Sequence, residues 1–325
     1  MIKHVKHVIL DQTLNYELPL LESLEVHQLE DLYNMVPNFQ SKQIIINCRN
    51  TLRTLSTFPF MCDNVTIESN IVVENLPKNI CELTLIYPFR FENMIPNLDE
   101  FDYLTSLYID SVGTYKKHFP IHLETLFINN CFMELNPGIF PNTLTKLTIA
   151  LFVRYQDLQL GLFPQNLVYL KLGTFKRALR VGVIPQSVRV LKLPCYKKRI
   201  EKDVLPKKLE KLTIYKCYNE NVLPSSLKKL TADCFHDIIP IYPLSLTSLH
   251  IFEFPTILPT FLIKLQIGKS CTMDKIETEL GKFPTTLREL TIYTNENPSV
   301  NWDLGHWNKR STKCWTLYLN GHAID

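Results

Sequence analysis

An eleven-residue phrase, LPKKLEKLTIY at Leu205–Tyr215, returns in loosely respelled form along the chain, and this recurrence restricts the fold more than any other property of the sequence. Its frame is an apolar residue, Pro, two free positions, Leu, two free positions, Leu, one free position, then Ile or Leu. In this copy the fixed letters are Pro206, Leu209, Leu212 and Ile214. The frame can be set at Pro59, Pro77, Pro120, Pro141, Pro164, Pro185, Pro206, Pro224, Pro243, Pro259 and Pro284, with one copy lacking proline at Phe101. Successive copies lie 16 to 25 residues apart. That period is too short for a pair of helices but suits one strand followed by a turn-rich return.

The dihedral preferences of the fixed letters say how one repeat is built. Proline fixes φ and cannot donate to a ladder, so it belongs at the corner that enters the strand. Leu212 and Ile214 are two apart and share one face of a strand, Leu209 turns inward at the bend, and Lys211 and Thr213 face out. Three residues before the proline stand Gly138, Gly161, Gly182 and Gly281, with Asp203 and Asn221 in two further copies. These are the residue types that tolerate φ > 0, which predicts a left-handed turn at that slot. The expected fold is a right-handed leucine-rich-repeat-like solenoid, with one short parallel strand per turn of about 16–25 residues and an irregular convex side. A stack of this kind grows as one object, so length alone does not divide it into domains.

The repeat weakens at both ends. Val5/Val8/Leu10, Leu21/Leu24/Val26 and Ile44–Cys48 keep strand-like spacing, while His27–Val36 has the spacing of a short helix. Beyond Ile292, Val300, Leu304 and Trp307 suit one or two helical turns, and Cys314/Leu317/Leu319 spell a last strand. The reading is a single solenoid over 1–325 of about sixteen rungs. It has degenerate rungs or a cap over 1–57, repeats over 58–293 and a cap over 294–325 that covers an open sheet edge.

Composition removes several function classes. Of the 325 residues 46% are hydrophobic and 21% charged, and 35 Lys+Arg against 32 Asp+Glu leave a net charge of +3, so the global charge names no partner. No 18-residue stretch is free of charges and prolines, and MIKHVKHVILDQ is a poor secretory signal. The nine cysteines form no CxxC pair and no cluster with histidine, which reads as reduced, mostly buried thiols in a cytoplasmic protein. No phosphate loop, HExxH, GxSxG or paired catalytic carboxylates occur, and Pro120 separates His118 from His122, so no metal, cofactor or enzymatic activity is expected.

The repeat, with Leu, Ile or Phe before Pro, then Ser-Leu-x-x-Leu-x-Leu/Ile and Gly three before the Pro, resembles the FNIP-repeat family. This is a leucine-rich-repeat variant abundant in social amoebae and in large DNA viruses that infect amoebae. The resemblance covers about Phe58–Tyr293, most cleanly Phe140–Tyr293. The Phe-Asn that precedes Ile-Pro in the family is largely replaced here, with Gly182-Val183 before Ile184-Pro185 and Asn93-Met94 before Ile95-Pro96. The resemblance implies the host cytoplasm if the source is viral. Some viral relatives begin with an F-box, which would imply a substrate receptor of a ubiquitin ligase; that role requires a three-helix unit in the first forty residues, and a strand at Val5–Leu10 would exclude it.

What the repeat leaves free are the two outward positions of each strand, which pave the concave face. They bring Lys146, Lys171, Lys192, Lys211, Lys229 and Lys264 into one column with no acid among them, flanked by Tyr169 and His250. This basic stripe suits an acidic protein segment, or a nucleic-acid backbone as a less favoured partner. The plainer reading, that Lys and Thr keep an exposed sheet soluble, stands beside it. Tyr108 and Phe127 occupy the same outward position on successive rungs and are expected to stack, either as an interface anchor or as cover for the sheet. The function expected is a non-enzymatic protein-interaction scaffold, with neither a membrane nor a small molecule as partner.

Overall fold

Leu209, Leu212 and Ile214, the three apolar letters of the repeat, are buried to 2% exposure or less, and their equivalents build the core throughout. The computed structural model describes residues 7–10, 21–26, 41–46, 54–55, 62–67, 72–73, 76, 78–86, 97–113, 118–153, 156–216, 222–234, 241–252, 257–268, 283–293, 305–311 and 314–319. They fall into two compact units, Met1–Leu167 and Val168–Asp325. Among the described residues, each unit is a parallel-strand solenoid with almost no helix.

The strands of the first unit are β1 (His7–Leu10), β2 (Leu21–Val26), β3 (Ser41–Ile46), β4 (Thr54–Leu55), β5 (Asn64–Ile67), β6 (Val72–Val73), β7 (Glu82–Leu85), β8 (Ser106–Val112), β9 (Thr125–Cys131) and β10 (Lys146–Phe152). All except β4 and β6 join one parallel ladder in chain order. The short β4 and β6 pair with each other. One turn of 3-10 helix, Leu98–Glu100, buries Leu98 and leads into the proline-free copy at Phe101. On the return side Phe119, Phe140 and Phe163, each preceding a repeat proline, stack at 5.8 and 6.3 Å between ring centroids.

The second unit holds β11 (Tyr169–Leu172), β12 (Val190–Leu193), β13 (Lys211–Lys216), β14 (Lys229–Cys234), β15 (Ser248–Ile251), β16 (Lys264–Ile267) and β17 (Glu289–Tyr293), again parallel and in chain order. Two further strands, β18 (Gly305–Ser311) and β19 (Cys314–Leu319), close it, and both of their pairings are antiparallel. Three expectations change here. Trp307 lies in strand β18 and not in a helical turn. The last strand, read as another rung, runs against β17. The count of about sixteen rungs is not met: the described residues give eight parallel rungs in the first unit and seven in the second. The cause lies in the connection between β18 and β19. Two residues can link antiparallel neighbours, whereas a parallel pair needs a long crossover. His27–Val36, Asn221, Gly281, Val300 and Leu304 lie outside the described residues.

The corner before each strand explains the Pro-x-x-Leu spelling. The proline carbonyl accepts a hydrogen bond from the amide three residues on, as in Leu209 N–H to Pro206 O at 3.1 Å and Leu227 N–H to Pro224 O at 3.0 Å. The same bond forms at Phe101, from Leu104 N–H at 3.4 Å, so the turn survives without the ring. After the bend two successive amides share one carbonyl of the rung before, as Glu210 and Lys211 do with Arg189 O at 2.8 and 3.0 Å. Upstream, Gly138, Gly161 and Gly182 have φ of 89°, 77° and 83°, and Asp203 has 64°, which places the left-handed turn where the sequence puts it. Cys62 and Cys131 are buried thiols, Cys81 is half-buried and Cys195 is exposed; burial, aided by Asp63, pushes the Cys62 thiol up to about 12.

Candidate interaction surface

Parallel register turns the free letters into rows. In the second unit Tyr169, Val190, Lys211, Lys229, Ser248, Lys264 and Glu289 form one outward row. Lys171, Lys192, Thr213, Thr231, His250, Gln266 and Thr291 form the other. Neighbouring strands are about 4.8 Å apart, so residues in register stand side by side. Lysine therefore meets lysine twice, Lys171 beside Lys192 and Lys211 beside Lys229. Like charges in register cost stability, the more so in a sheet surface that holds their stems in line.

The two ends of the stripe are handled differently. Lys264 Nζ lies 2.8 Å from Glu289 Oε2, an opposite pair in register, so Lys264 belongs to an ion pair at the end of the face. Lys228, at the bend, pairs likewise with Glu210 at 3.3 Å. Among the described residues, no carboxylate pairs with Lys171, Lys192, Lys211 or Lys229. Lys192 instead holds its ammonium 5.3 Å from the centroid of the Tyr169 ring, a cation–π contact across the two rows. His250 stacks on the exposed Phe252 at 5.4 Å, and burial first, then Lys229, hold its pKa below the ordinary histidine value.

Between these lysines the surface dips. A hollow of about 450 Å³ is lined by Tyr169, Val190, Lys192, Lys211, Leu212, Thr213, Lys229 and Thr231. It exists because the second row changes from lysine to threonine at β13 and β14, where short side chains leave space between longer neighbours. Thr213 and Thr231 are half-buried, whereas Thr148 and Thr291, at the matching strand position, are 6% and 3% exposed. Those two were expected to face the surface and are covered instead. The spelling could not distinguish the four, because exposure depends on the residues in the neighbouring strands.

Lys146, Tyr108 and Phe127 lie in the first unit. Tyr108 and Phe127 stack face to face, with centroids 4.6 Å apart and planes 14° from parallel, as their shared register predicts. Both are half-buried; burial, and secondarily Asp110, raise the Tyr108 phenol above its ordinary range. Lys146 is exposed beside Thr125, in a row whose other members are His7, Ser23, Gln43, Asn64, Glu82 and Ser106, so this sheet has no lysine column. His118 faces the Gly138 carbonyl from its loop at 2.8 Å. No cluster of His, Cys, Asp or Glu able to hold a metal ion occurs among the described residues, and no helix among them is long and apolar enough to cross a membrane. Sequence reasoning missed a set of exposed apolar residues at the strand-entry side of β15 and β16: Ile241, Leu244, Ile257, Phe261 and Ile263. Position in the frame marks Leu244, Phe261 and Ile263, whose slots most other copies fill with polar residues, but not Ile241 and Ile257, whose slot two before the proline is apolar and buried at Ile139, Leu162, Val183 and Val204.

These ladders define the class: a leucine-rich-repeat type of solenoid, a fold that generally serves as a protein-interaction scaffold. Comparison with known proteins agrees. The family model FNIP Repeat matches residues 156–196 and 175–217, so the chain carries FNIP repeats. Among solved structures it is similar to CroV588, described as a novel circular LRR protein, at 21% identity and TM-score 0.58; the match covers 82% of this chain and 44% of that one. It also matches YopM from Yersinia enterocolitica WA-314, at 18% identity and TM-score 0.46 over 82% of this chain and 63% of that one. The chain thus spans less than two thirds of either structure, and the likeness to CroV588 concerns the fold alone. No curated protein matches it.

Proposed function

We propose that this chain is a non-enzymatic scaffold that binds another protein through the solvent-facing rows of its parallel sheets, with the lysine rows of the second unit receiving an acidic segment. The observation that carries the reading is the pairing of like charges in register, Lys171 with Lys192 and Lys211 with Lys229, with no carboxylate paired to any of the four among the described residues. A sheet selected only for solubility would gain from alternating signs, as Lys264 and Glu289 do. An acidic partner removes the repulsion and is drawn in by the field of the face. The setting assigned is the cytoplasm, in keeping with Cys62, Cys81, Cys131 and Cys195 standing outside any disulfide. The ubiquitin-ligase alternative is set aside, because strands β1 and β2 occupy part of the segment that its adaptor-binding helices would need.

The test compares what the wild-type chain and the variant Lys171→Glu/Lys192→Glu/Lys211→Glu/Lys229→Glu retain from lysate, with Lys198→Glu on an exposed return loop as the charge control. The reading expects a protein held by wild type and control to fall by about ten-fold or more on the variant, as for loss of close interfacial charge pairs. Equal retention by all three overturns it, and retention abolished by nuclease reassigns the face to nucleic acid.

A further inference from the structure

The hollow in the second unit is more specific than a basic stripe. Its lining brings three lysines, Lys192, Lys211 and Lys229, to one depression of about 450 Å³, and the two threonines between them, Thr213 and Thr231, are register neighbours. We infer that this hollow is a phosphate-binding site, whose ligand is a phosphorylated serine or threonine side chain carried by the partner segment; the inference rests on the scaffold reading given above.

Two features favour a phosphate over the carboxylate of an Asp or Glu. The first is charge. Three lysines that line one hollow carry more charge than a single carboxylate neutralises, whereas a phosphate monoester carries about −1.5 to −2 at neutral pH and offers three acceptor oxygens. The second is the floor. Hydroxyls can donate to oxygens that the ammonium groups leave uncovered, and Thr213 and Thr231 are partly open where Thr148 and Thr291 are closed over.

Tyr169 and Val190 supply the remaining wall. The Tyr169 ring, part of the same lining, holds the Lys192 ammonium 5.3 Å from its centroid, which reduces the side-chain freedom lost when an anion binds. Lys171 stands beside Lys192 in register but does not line the hollow, so it serves the approach of the partner rather than the grip on the phosphate.

The test titrates the full chain at low salt with N-acetyl-O-phosphothreonine methylamide, its glutamate counterpart and inorganic phosphate, read by calorimetry. The phosphothreonine compound is expected to bind about ten-fold or more tightly than the other two. Lys211→Glu/Lys229→Glu is expected to abolish that binding, and Thr213→Val/Thr231→Val to weaken it several-fold at an unchanged unfolding midpoint. Lys211→Gln/Lys229→Gln replaces the reversal if the latter fails to fold. Equal affinity for the glutamate compound, equal affinity for inorganic phosphate, or indifference to the lysine changes overturns the inference. If no phosphorylated compound binds while a partner is still retained through the lysine face, the phosphate site alone is wrong. If lysine-dependent retention is lost as well, the scaffold reading falls with it.

Discussion

Two residues show how differently single positions can be constrained inside one repeat. At Gly138 the left-handed φ of 89° is the whole constraint, since an added Cβ meets nothing within 4 Å. That slot was legible because glycine recurs there in register. Gly268 is constrained by a neighbour: an added Cβ would lie 2.6 Å from Phe252 Cδ1 and 2.9 Å from Phe252 Cα. Gly268→Ala is therefore expected to destabilise by about 1–3 kcal/mol in urea unfolding, and Phe252→Ala to relieve this only in part because the backbone atom stays. No sequence pattern marks Gly268, because the contact comes from a residue in the rung before it. His250 gives the expected pH dependence. Its folded pKa is depressed below the usual 6.5, by burial first and then by Lys229, so between the two values the unfolded chain binds the extra proton. Stability should then fall as pH drops below about 6.5 through the depressed value, and His250→Gln should flatten that part of the profile in pH-dependent thermal melts.

At the scale of the element, the strand-entry turn is held by a group that the repeat frame leaves as a free letter. The hydroxyl immediately before the inward leucine reaches back to the previous rung. Ser226 Oγ shares its proton between Lys207 O at 2.9 Å and Leu209 O at 2.7 Å, and Ser245 reaches Ser225 O and Leu227 O at 2.7 Å each. Thr143 and Thr286 make the same pair of contacts in their own rungs. Ser226→Ala is expected to cost about 1 kcal/mol, the net worth of one hydrogen bond, read as a shift of the denaturant midpoint at constant slope. The serine of the Ser-Leu spelling was visible in the sequence, but its role was not, since the acceptors lie seventeen to twenty-six residues away. The closing hairpin teaches the same lesson. Cys314, Leu317 and Leu319 spell a rung, yet β19 pairs with β17 in the opposite direction, because what precedes it is another strand two residues away and not a return loop.

At the scale of the molecule, each unit is a stack in which a rung is supported chiefly by its neighbours, so damage should stay local. Leu212→Ala removes a core side chain that is 1% exposed and should cost about 2–5 kcal/mol. Amide exchange should accelerate in β12, β13 and β14 and much less in β17; uniform acceleration across the second unit would show that the rungs unfold together. The sequence by itself determined the period, the inward leucines, the left-handed turn and the parallel strands, because each follows from short-range spacing that every copy repeats. It also determined that lysines share the outward rows and that Tyr108 and Phe127 adjoin, since register in a parallel stack is a matter of counting. Only the tertiary structure decided which outward positions stay open. Thr213 and Thr231 floor a hollow while Thr148 and Thr291 are covered, and Lys264 is claimed by Glu289 while Lys211 and Lys229 have no such carboxylate among the described residues. The physical reason is that exposure and charge compensation belong to neighbouring rungs, whose side chains meet across about 4.8 Å of space although the chain separates them by a whole repeat.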